Sequence, residues 1–234
     1  MERTSLFGPT IKKVSEILKI DQLYPVDQKD ADKLTDLLTQ CFAEDPLYCQ
    51  LIPQKTMRKR LLPGLFQCDL DELFQTCHVY ADSPEMNGII IVSDETEPQN
   101  GVRRRIVEMF ASWKTAALLL EEDPSCKTLW NFIRGQEYLN SEWTEDLGEA
   151  PRLHFAVRPS KRGQGVASRL MKAVLAFADE NGMEVSLETH NQRNLEIYRH
   201  YGFHLFEVVK KHFPLKQFCM VRPSEAAQGT LAAS

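Results

Sequence analysis

The sequence lacks an apolar run long enough to cross a membrane. Its longest candidate is Thr115–Leu120, whereas a membrane-spanning helix needs about 20 apolar residues. The first residues, Met1–Ser5, are not followed by the hydrophobic core of a signal peptide. We therefore expect no membrane partner and a cytoplasmic location.

Excess positive charge and paired cysteines are also missing. The chain has 28 Lys and Arg against 33 Asp and Glu, and its net charge of -5 argues against nucleic acid as a main partner. The six cysteines form no CxxC pair, and neither they nor the histidines have the spacing of metal ligands. We expect no metal site. The cysteines are predicted to be reduced thiols that pack as small hydrophobic residues: Cys41, Cys49, Cys68, Cys77, Cys126 and Cys219.

The chain does contain the composition of a globular protein. Hydrophobic residues make up 43% and charged residues 26% of its 234 residues, which suits one large domain or two small ones. Pro63-Gly64 predicts a break in a helix, and the continuous apolar run Ile89–Val92 predicts a central strand covered on both faces. The predicted elements of this part are a strand at Val14–Leu23, a helix at Asp30–Phe42, a broken helix at Thr56–Thr76, and strands at Cys77–Ala81 and Gly88–Ser93.

Residues 94–150 are predicted to form a helical insertion. Two segments, Arg103–Glu122 and Ser125–Trp143, each exceed four helical turns and are separated by Asp123-Pro124. The insertion also holds the three tryptophans of the chain, Trp113, Trp130 and Trp143. These aromatic side chains either line a pocket or only cover one face of a sheet.

A glycine turn between a strand and a helix predicts an anion-binding site. The strand Leu153–Val157 is followed by Arg162-Gly163-Gln164-Gly165-Val166-Ala167 and then by an amphipathic helix that stops at Asn181-Gly182. The first turn of such a helix has unpaired backbone N–H groups at the positive end of the helix dipole. Glycine permits backbone torsions and a close approach of the anion that a side chain would block.

This loop differs from two common nucleotide-binding loops. A nucleotidase loop would read GxxxxGK followed by Ser or Thr, and no such lysine is present. A dinucleotide fingerprint would need a third glycine where Ser168 stands. The loop instead has the spacing Arg/Gln-x-x-Gly-x-Gly/Ala, with Arg162, Gly165 and Ala167 at the three defining positions.

That spacing resembles the pyrophosphate-binding loop of the GNAT superfamily of acyl-coenzyme A dependent N-acyltransferases. Downstream of a predicted strand at Val185–Thr189, Asn191 is followed seven residues later by Tyr198 and then by Gly202-Phe203, which matches a second signature of the family. Seven residues make nearly two helical turns, so we expect Asn191 and Tyr198 to share a helix face.

The resemblance implies an α/β fold, a GNAT-like mixed and mostly antiparallel sheet flanked by helices, with the helical insertion between strands 3 and 4. It implies a single domain over residues 1–223, and the small, polar residues 224–234 are predicted to be a disordered tail. Cys41–Tyr48 and Leu187–Thr189 look most like the branch that contains the puromycin-type antibiotic acetyltransferases.

The resemblance further implies how acetyl-coenzyme A (acetyl-CoA) would be held. The strand Leu153–Val157 would splay from a parallel neighbour at Val185–Thr189, and the pantetheine arm would lie between them. The implied binding residues are the backbone of Phe155, Ala156 and Val157, the loop and first helical turn at Arg162, Gly163, Gln164, Gly165, Val166, Ala167 and Ser168, and the side chains of Asn191 and Tyr198.

Acetyl transfer to an amine needs a neutral nucleophile and a proton for the departing thiolate. Tyr198 stands where the family often has its proton donor, although it is alternatively a core tyrosine, and Tyr201 would face another way. Strand parity places Glu188 and His190 on one face of the strand Val185–Thr189. Glu188 is the preferred general base, directly or through a water, and its alternative role is a salt bridge at the strand end.

The predicted function is direct transfer of an acetyl group from acetyl-CoA to a primary amine of a small molecule. The alternative is a catalytically inert acyl-CoA binding or sensing module, which needs neither Tyr198 nor Glu188. We expect the acceptor pocket between the insertion and the splayed strands, where an aromatic lining favours an amine on an apolar body. A preference for polyamines would instead indicate that the acceptor is bound by the carboxylates Glu142, Glu145 and Asp146. The oligomeric state stays open between monomer and homodimer.

Overall fold

A single seven-stranded sheet organises the molecule. The structure is a computed structural model, and it describes residues 20, 22–93, 102–139, 143 and 152–224. The strand order is β1-β2-β3-β4-β5-β7-β6, with β4 and β5 parallel and every other neighbouring pair antiparallel. The strands are β1 (Tyr24–Pro25), β2 (Cys77–Ala81), β3 (Gly88–Ser93), β4 (Arg152–Val157), β5 (Val185–Thr189), β6 (His204–Val209) and β7 (Gln217–Arg222). The predicted mixed, mostly antiparallel sheet is confirmed.

Helices cover both faces of this sheet. The α-helices of the described ranges are α1 (Ala31–Phe42), α2 (Pro46–Leu51), α3 (Lys55–Thr76), α4 (Val102–Glu122), α5 (Lys127–Leu139), α6 (Val166–Glu180) and α7 (Asn194–His200). Helices α1–α5 pack on one face, which we name the insertion face, and α6 and α7 pack on the other, the loop face. Alternate residues of β3 belong to the two cores, Ile89 and Ile91 to one and Ile90 and Val92 to the other. The apolar run is therefore buried on both sides, as predicted for a central strand.

Two predictions of local structure can be compared with the structure only in part or differ from it. The predicted strand Val14–Leu23 lies mostly outside the described residues, and its described residues 20, 22 and 23 are not in a strand. Helix α3 continues through Pro63-Gly64 without the predicted break. Proline removes one backbone donor from a helix, but the carbonyl that loses this donor belongs to Lys59, an exposed residue that water can reach.

Gly64 has a packing role that the sequence pattern did not indicate. A Cβ atom at this position would lie 2.8 Å from Leu118 Cδ2 of α4. Glycine thus permits α3 and α4 to approach closely, so the first helix of the insertion packs directly on α3. The insertion between β3 and β4 is confirmed as helical, although its second helix ends at Leu139 and not at Trp143.

None of the six cysteines forms a disulfide bond. Cys219 is buried whereas Cys126 is exposed, so the interpretation as core residues is wrong for Cys126. Across the described ranges, no helix combines the length and apolar character that crossing a bilayer requires.

Candidate active site

The parallel strands β4 and β5 separate near the middle of the sheet. They pair only at Arg152 with Ser186 and at Leu153 with Leu187, although β4 continues to Val157 and β5 to Thr189. We name the region beyond these pairs the splay. Each β4 residue in the splay still pairs with β3 on its other edge, so only the edge toward β5 has backbone groups without a strand partner. A ligand of extended shape with amide groups can hydrogen-bond there as an added strand does.

The backbone of the splay includes the predicted cofactor residues Phe155, Ala156 and Val157. Their side chains are occupied by packing, since Phe155 and Val157 contact the core on the loop face and Ala156 lies in the core on the insertion face. Any contact with a ligand in the splay must therefore come from their main-chain groups.

The glycine loop follows β4 and leads into α6. Gly163 and Gly165 have φ values of +77° and +78°, and Gly165 is the N-cap of α6. No atom lies within 4 Å of a Cβ built on either glycine, so it is the backbone torsion that requires glycine here. Arg162, Gly163, Gln164, Gly165 and Ala167 are exposed, whereas Val166 is buried and Ser168 is half-buried.

The first turn of α6 can bind an anion. The first α-helical hydrogen bond in this turn runs from the N–H of Arg169 to the carbonyl oxygen of Gly165. The N–H groups of Val166, Ala167 and Ser168 precede that bond and so have no acceptor within the helix. They lie at the positive end of the helix dipole, beside an open loop, which is the arrangement that binds phosphate groups.

Two residues that the sequence pattern did not single out hold this loop against the sheet. A Cβ at Gly88 would lie 2.6 Å from Val166 Cγ1, so glycine permits the start of α6 to pack directly on β3. Arg158 anchors the other end, because its Nε donates to the carbonyl oxygen of Met86 at 3.0 Å and its Nη1 donates to Asp36 Oδ2 at 2.7 Å. Gly88 carries no sequence signal beyond a glycine at the start of a strand.

The predicted pairing of Asn191 and Tyr198 on one helix face is wrong. Helix α7 begins at Asn194, and Asn191 lies in the preceding turn. The Asn191 Oδ1 atom accepts a hydrogen bond from the Arg193 N–H at 3.1 Å, and Thr189 Oγ1 accepts from Asn194 Nδ2 at 3.0 Å. An asparagine two residues before a backbone donor favours a local turn over helix, which is why the helix starts later than its periodicity predicts.

Tyr198 lies on α7 and packs against the core of the loop face. Its ring contacts Phe203 with a centroid distance of 6.1 Å, and the turn that follows is closed by Gly202, which has a φ of +86°. Burial raises the pKa of Tyr198 to about 12. A phenol with this pKa is protonated at neutral pH. Within the described part of the chain its hydroxyl has no hydrogen-bond partner, so it is able to donate to a ligand.

Glu188 lies on the opposite face of the sheet. Its Oε2 atom accepts a hydrogen bond of 2.8 Å from the indole Nε1 of Trp143, which is buried in the core under the insertion. Its partner across the ladder is Cys219 on β7, a residue of the same core. The carboxylate is therefore oriented by a residue of the insertion.

His190, the second titratable group at this strand end, is half-buried and uncharged at neutral pH. Its ring contacts Tyr138 on the insertion face, as the parity of β5 predicts, and its Nε2 atom is buried with no partner among the described residues. Burial lowers the pKa of His190 to about 4. The ring therefore carries no charge at neutral pH, and the role of Glu188 as the general base stays a prediction.

Arg152 and His154 extend this polar cluster along β4, and the sequence reasoning did not select Arg152. The Arg152 Nε donates to His154 Nε2 at 3.0 Å. Burial, together with the Arg152 charge, lowers the pKa of His154 to about 3. Their alternating positions on β4 are a sequence signal that could have identified both residues. Charged and polar residues on the inner face of a central strand are unfavourable unless they are hydrogen-bonded or bind a ligand.

The other aromatic residues of the insertion are divided between surface and core. Trp113 and Trp130 are 72% and 60% exposed, so neither lines an enclosed site, whereas Phe132 is buried. Of the three tryptophans, Trp143 alone contacts a candidate catalytic group. Glu142, Glu145 and Asp146 lie outside the described residues, as do residues 225–234 of the predicted tail, and Ser224 is buried.

Comparisons with known proteins identify the fold. Residues 118–205 match the family model described as acetyltransferase (GNAT) domain, a range that runs from α4 through the splay and the glycine loop to β6. Among curated proteins, none matches this chain.

Solved structures agree with the family model. One is described as histone acetyltransferase HPA2 and related acetyltransferase from Corynebacterium glutamicum, with a TM-score of 0.60 and 20% identity over 87% of this chain and 96% of that chain. Another is the C-terminal condensation domain of Ebony in complex with beta-alanyl-dopamine, with a TM-score of 0.50 and 12% identity over 86% of this chain and 97% of that one. The predicted resemblance to the GNAT superfamily is confirmed, and the puromycin-type branch stays a prediction.

Proposed function

We propose that this chain, which has the GNAT acetyltransferase fold, transfers an acetyl group from acetyl-CoA directly to the primary amine of a small molecule. The family match implies an acyltransferase, and acetyl-CoA dependence is general to that family. The observation that carries the proposal is the splay between β4 and β5, with the glycine loop at the end of the same strand.

The splay and the loop fit the two parts of coenzyme A. The pantetheine arm carries amide groups, which match the unpaired main-chain edge of Phe155, Ala156 and Val157. The pyrophosphate carries the negative charge that the first turn of α6 and the flanking Arg162 attract. Asn191 is exposed at the far end of the splay, and its Nδ2 would donate to the pantetheine arm.

Candidate groups for donor and acceptor chemistry lie on opposite faces of the sheet. Tyr198 packs on the loop face with α6, and Glu188 lies on the insertion face under Trp143. This division supports a cofactor that enters from the loop face and an amine that enters from the insertion face. The two would meet at the splay, where no strand separates them.

The reaction removes two protons from the ammonium form of the acceptor and supplies one to sulfur. Glu188 accepts the first proton, directly or through a water, and the neutral nitrogen attacks the thioester carbonyl carbon. As the carbon–sulfur bond breaks, the Tyr198 hydroxyl donates its proton to the departing sulfur, and the nitrogen releases its second proton, which restores the Tyr198 hydroxyl through water. A phenol with a pKa of about 12 stays protonated until that step.

A thiol-release assay on a panel of primary amines with acetyl-CoA tests the proposal, with coenzyme A affinity measured separately by calorimetry. We expect coenzyme A to bind and at least one amine to release thiol in stoichiometric amount with the acetylated product. Coenzyme A binding with no turnover on any amine would contradict the enzyme and favour an inert acyl-CoA binding module. No coenzyme A binding would contradict both.

A further inference from the structure

Arg152 is a buried cation with an unfilled donor. Its residue is 9% exposed, and its Nη1 atom is buried with no hydrogen-bond partner among the described residues. Among the described residues its guanidinium donates from Nε to the neutral His154 ring, and no carboxylate of those residues forms an ion pair with it. Burying a charge without a counter-charge costs several kcal/mol of folding free energy. A buried arginine of this kind is therefore a candidate for ligand binding.

The two other buried arginines of the described residues are satisfied. Arg222 is also 9% exposed, and its two terminal nitrogens donate to both oxygens of Asp179 at 2.7 and 2.8 Å. Arg58 is 3% exposed and donates to the carbonyl oxygens of Ala43 and Ile52. The unfilled donor is therefore a property of the position of Arg152 and not of buried arginines in this fold.

The guanidinium of Arg152 points toward the acceptor side of the splay. Arg152 is the first residue of β4 and shares the insertion face with His154 and Ala156. Its bond to His154 directs the side chain along the strand, into the region where β4 and β5 no longer pair. Arg152 pairs with Ser186, which lies two residues before Glu188 on the same face of β5, so the proposed base and this cation border the same region.

We infer that Arg152 binds a carboxylate of the acceptor, and that the acceptor is therefore an amino acid or a similar amine that carries a carboxylate. The inference rests on the acetyl transfer proposed above. The carboxylate accepts hydrogen bonds from the guanidinium, which fills the unpaired Nη1 donor and neutralises the buried charge. The amine then lies toward Glu188, and the N-acetyl product keeps the carboxylate unchanged.

Matched pairs of acceptors test this substrate class. Each pair consists of an amino acid and its decarboxylated amine: phenylalanine and phenethylamine, leucine and isopentylamine, lysine and cadaverine. A hydrogen bond to a charged group contributes enough to give about a 10- to 100-fold higher kcat/KM for the carboxylated member of the best pair. Equal or better use of the decarboxylated member in every pair that is acetylated would overturn the inference.

Variants of the two equally buried arginines separate recognition from folding. In Arg152→Met the preference within the best pair should fall to about 3-fold or less, and Arg152→Lys should keep part of it because the charge is retained. Arg222→Met should keep the wild-type preference. Thermal unfolding gives a second readout: Arg152→Met removes an unpaired charge and should not lower Tm, whereas Arg222→Met leaves Asp179 unpaired and should lower it. An Arg152→Met variant that keeps the preference would contradict the proposed contact.

Binding distinguishes a failure of this inference from a failure of the proposed function. If no amine is acetylated, calorimetry with 3-phenylpropanoate and the coenzyme A complex tests the carboxylate site alone. If 3-phenylpropanoate binds to the wild type and not to Arg152→Met, the carboxylate site is supported although no amine is acetylated. No binding to the wild type overturns the site, whatever the outcome for acetyl transfer.

Discussion

Gly165→Glu is the sharpest perturbation of the candidate cofactor site. The N-cap of α6 has a φ of +78°, and a Cβ there would meet no atom within 4 Å. Any unbranched side chain at this position therefore has the same backbone cost, about 1–2 kcal/mol for a left-handed torsion. For a chain of this size that cost corresponds to a fall in Tm of about 2–8 °C.

The carboxylate adds repulsion that Gly165→Gln lacks. At about 5 Å from each of two phosphate charges, and with an effective dielectric constant of about 40, the Coulomb energy is about 3 kcal/mol. We thus expect Gly165→Glu to bind coenzyme A about 100-fold more weakly than Gly165→Gln. The difference between the two variants should shrink in about 1 M salt, where the Debye length is about 3 Å.

Gly182→Glu is the matched control. Gly182 has a φ of +65° and an equally open Cβ direction, but it lies just beyond the C-terminal end of the same helix. This variant should lose comparable stability and keep its affinity for coenzyme A. Calorimetry at low and high salt, with thermal unfolding of each variant, measures both quantities. Equal affinities of the Glu and Gln variants at position 165 would refute an anion site at the start of α6.

Four further predictions concern the catalytic groups and the packing around them. Tyr198→Phe removes only the hydroxyl, so kcat should fall by about 10²- to 10⁴-fold with coenzyme A affinity nearly unchanged; wild-type turnover would exclude Tyr198 as the proton donor. Glu188→Gln should flatten the acidic limb of the pH–rate profile, and an unaltered limb would exclude Glu188 as the base. The pKa of His190 is lowered from 6.5 to about 4. Its contribution to the free energy of unfolding is therefore complete above pH 6.5 and is lost as the pH falls toward 4. The variant His190→Gln should give a shallower fall of Tm in that pH range. Gly88→Val should weaken coenzyme A binding, because a Cβ collides with Val166 at the start of α6, and an unchanged affinity would show that the loop tolerates the shift.

Features that depend on local chemistry could be predicted from the sequence alone. Gly163 and Gly165 predict left-handed turns because other residues rarely adopt them, and the structure has both at positive φ. The apolar run of β3 predicts a strand buried on both faces, and its residues belong to both cores. The same local reasoning was wrong at Pro63, where packing of α3 and α4 outweighs the loss of one hydrogen bond, and at Asn191, whose side chain stabilises a turn.

Contacts between side chains from distant segments could not be predicted in this way, because they depend on how the whole chain packs. Glu188 and Trp143 are 45 positions apart, and no periodicity within either segment predicts that an indole of the insertion donates to that carboxylate. The unfilled donor of Arg152 is likewise invisible in the sequence, because whether a buried charge has a partner depends on every element packed around it. The separation of β4 from β5 also depends on the assembled sheet. Each sequence is typical of an ordinary strand, and only their placement in one sheet shows where their pairing ends.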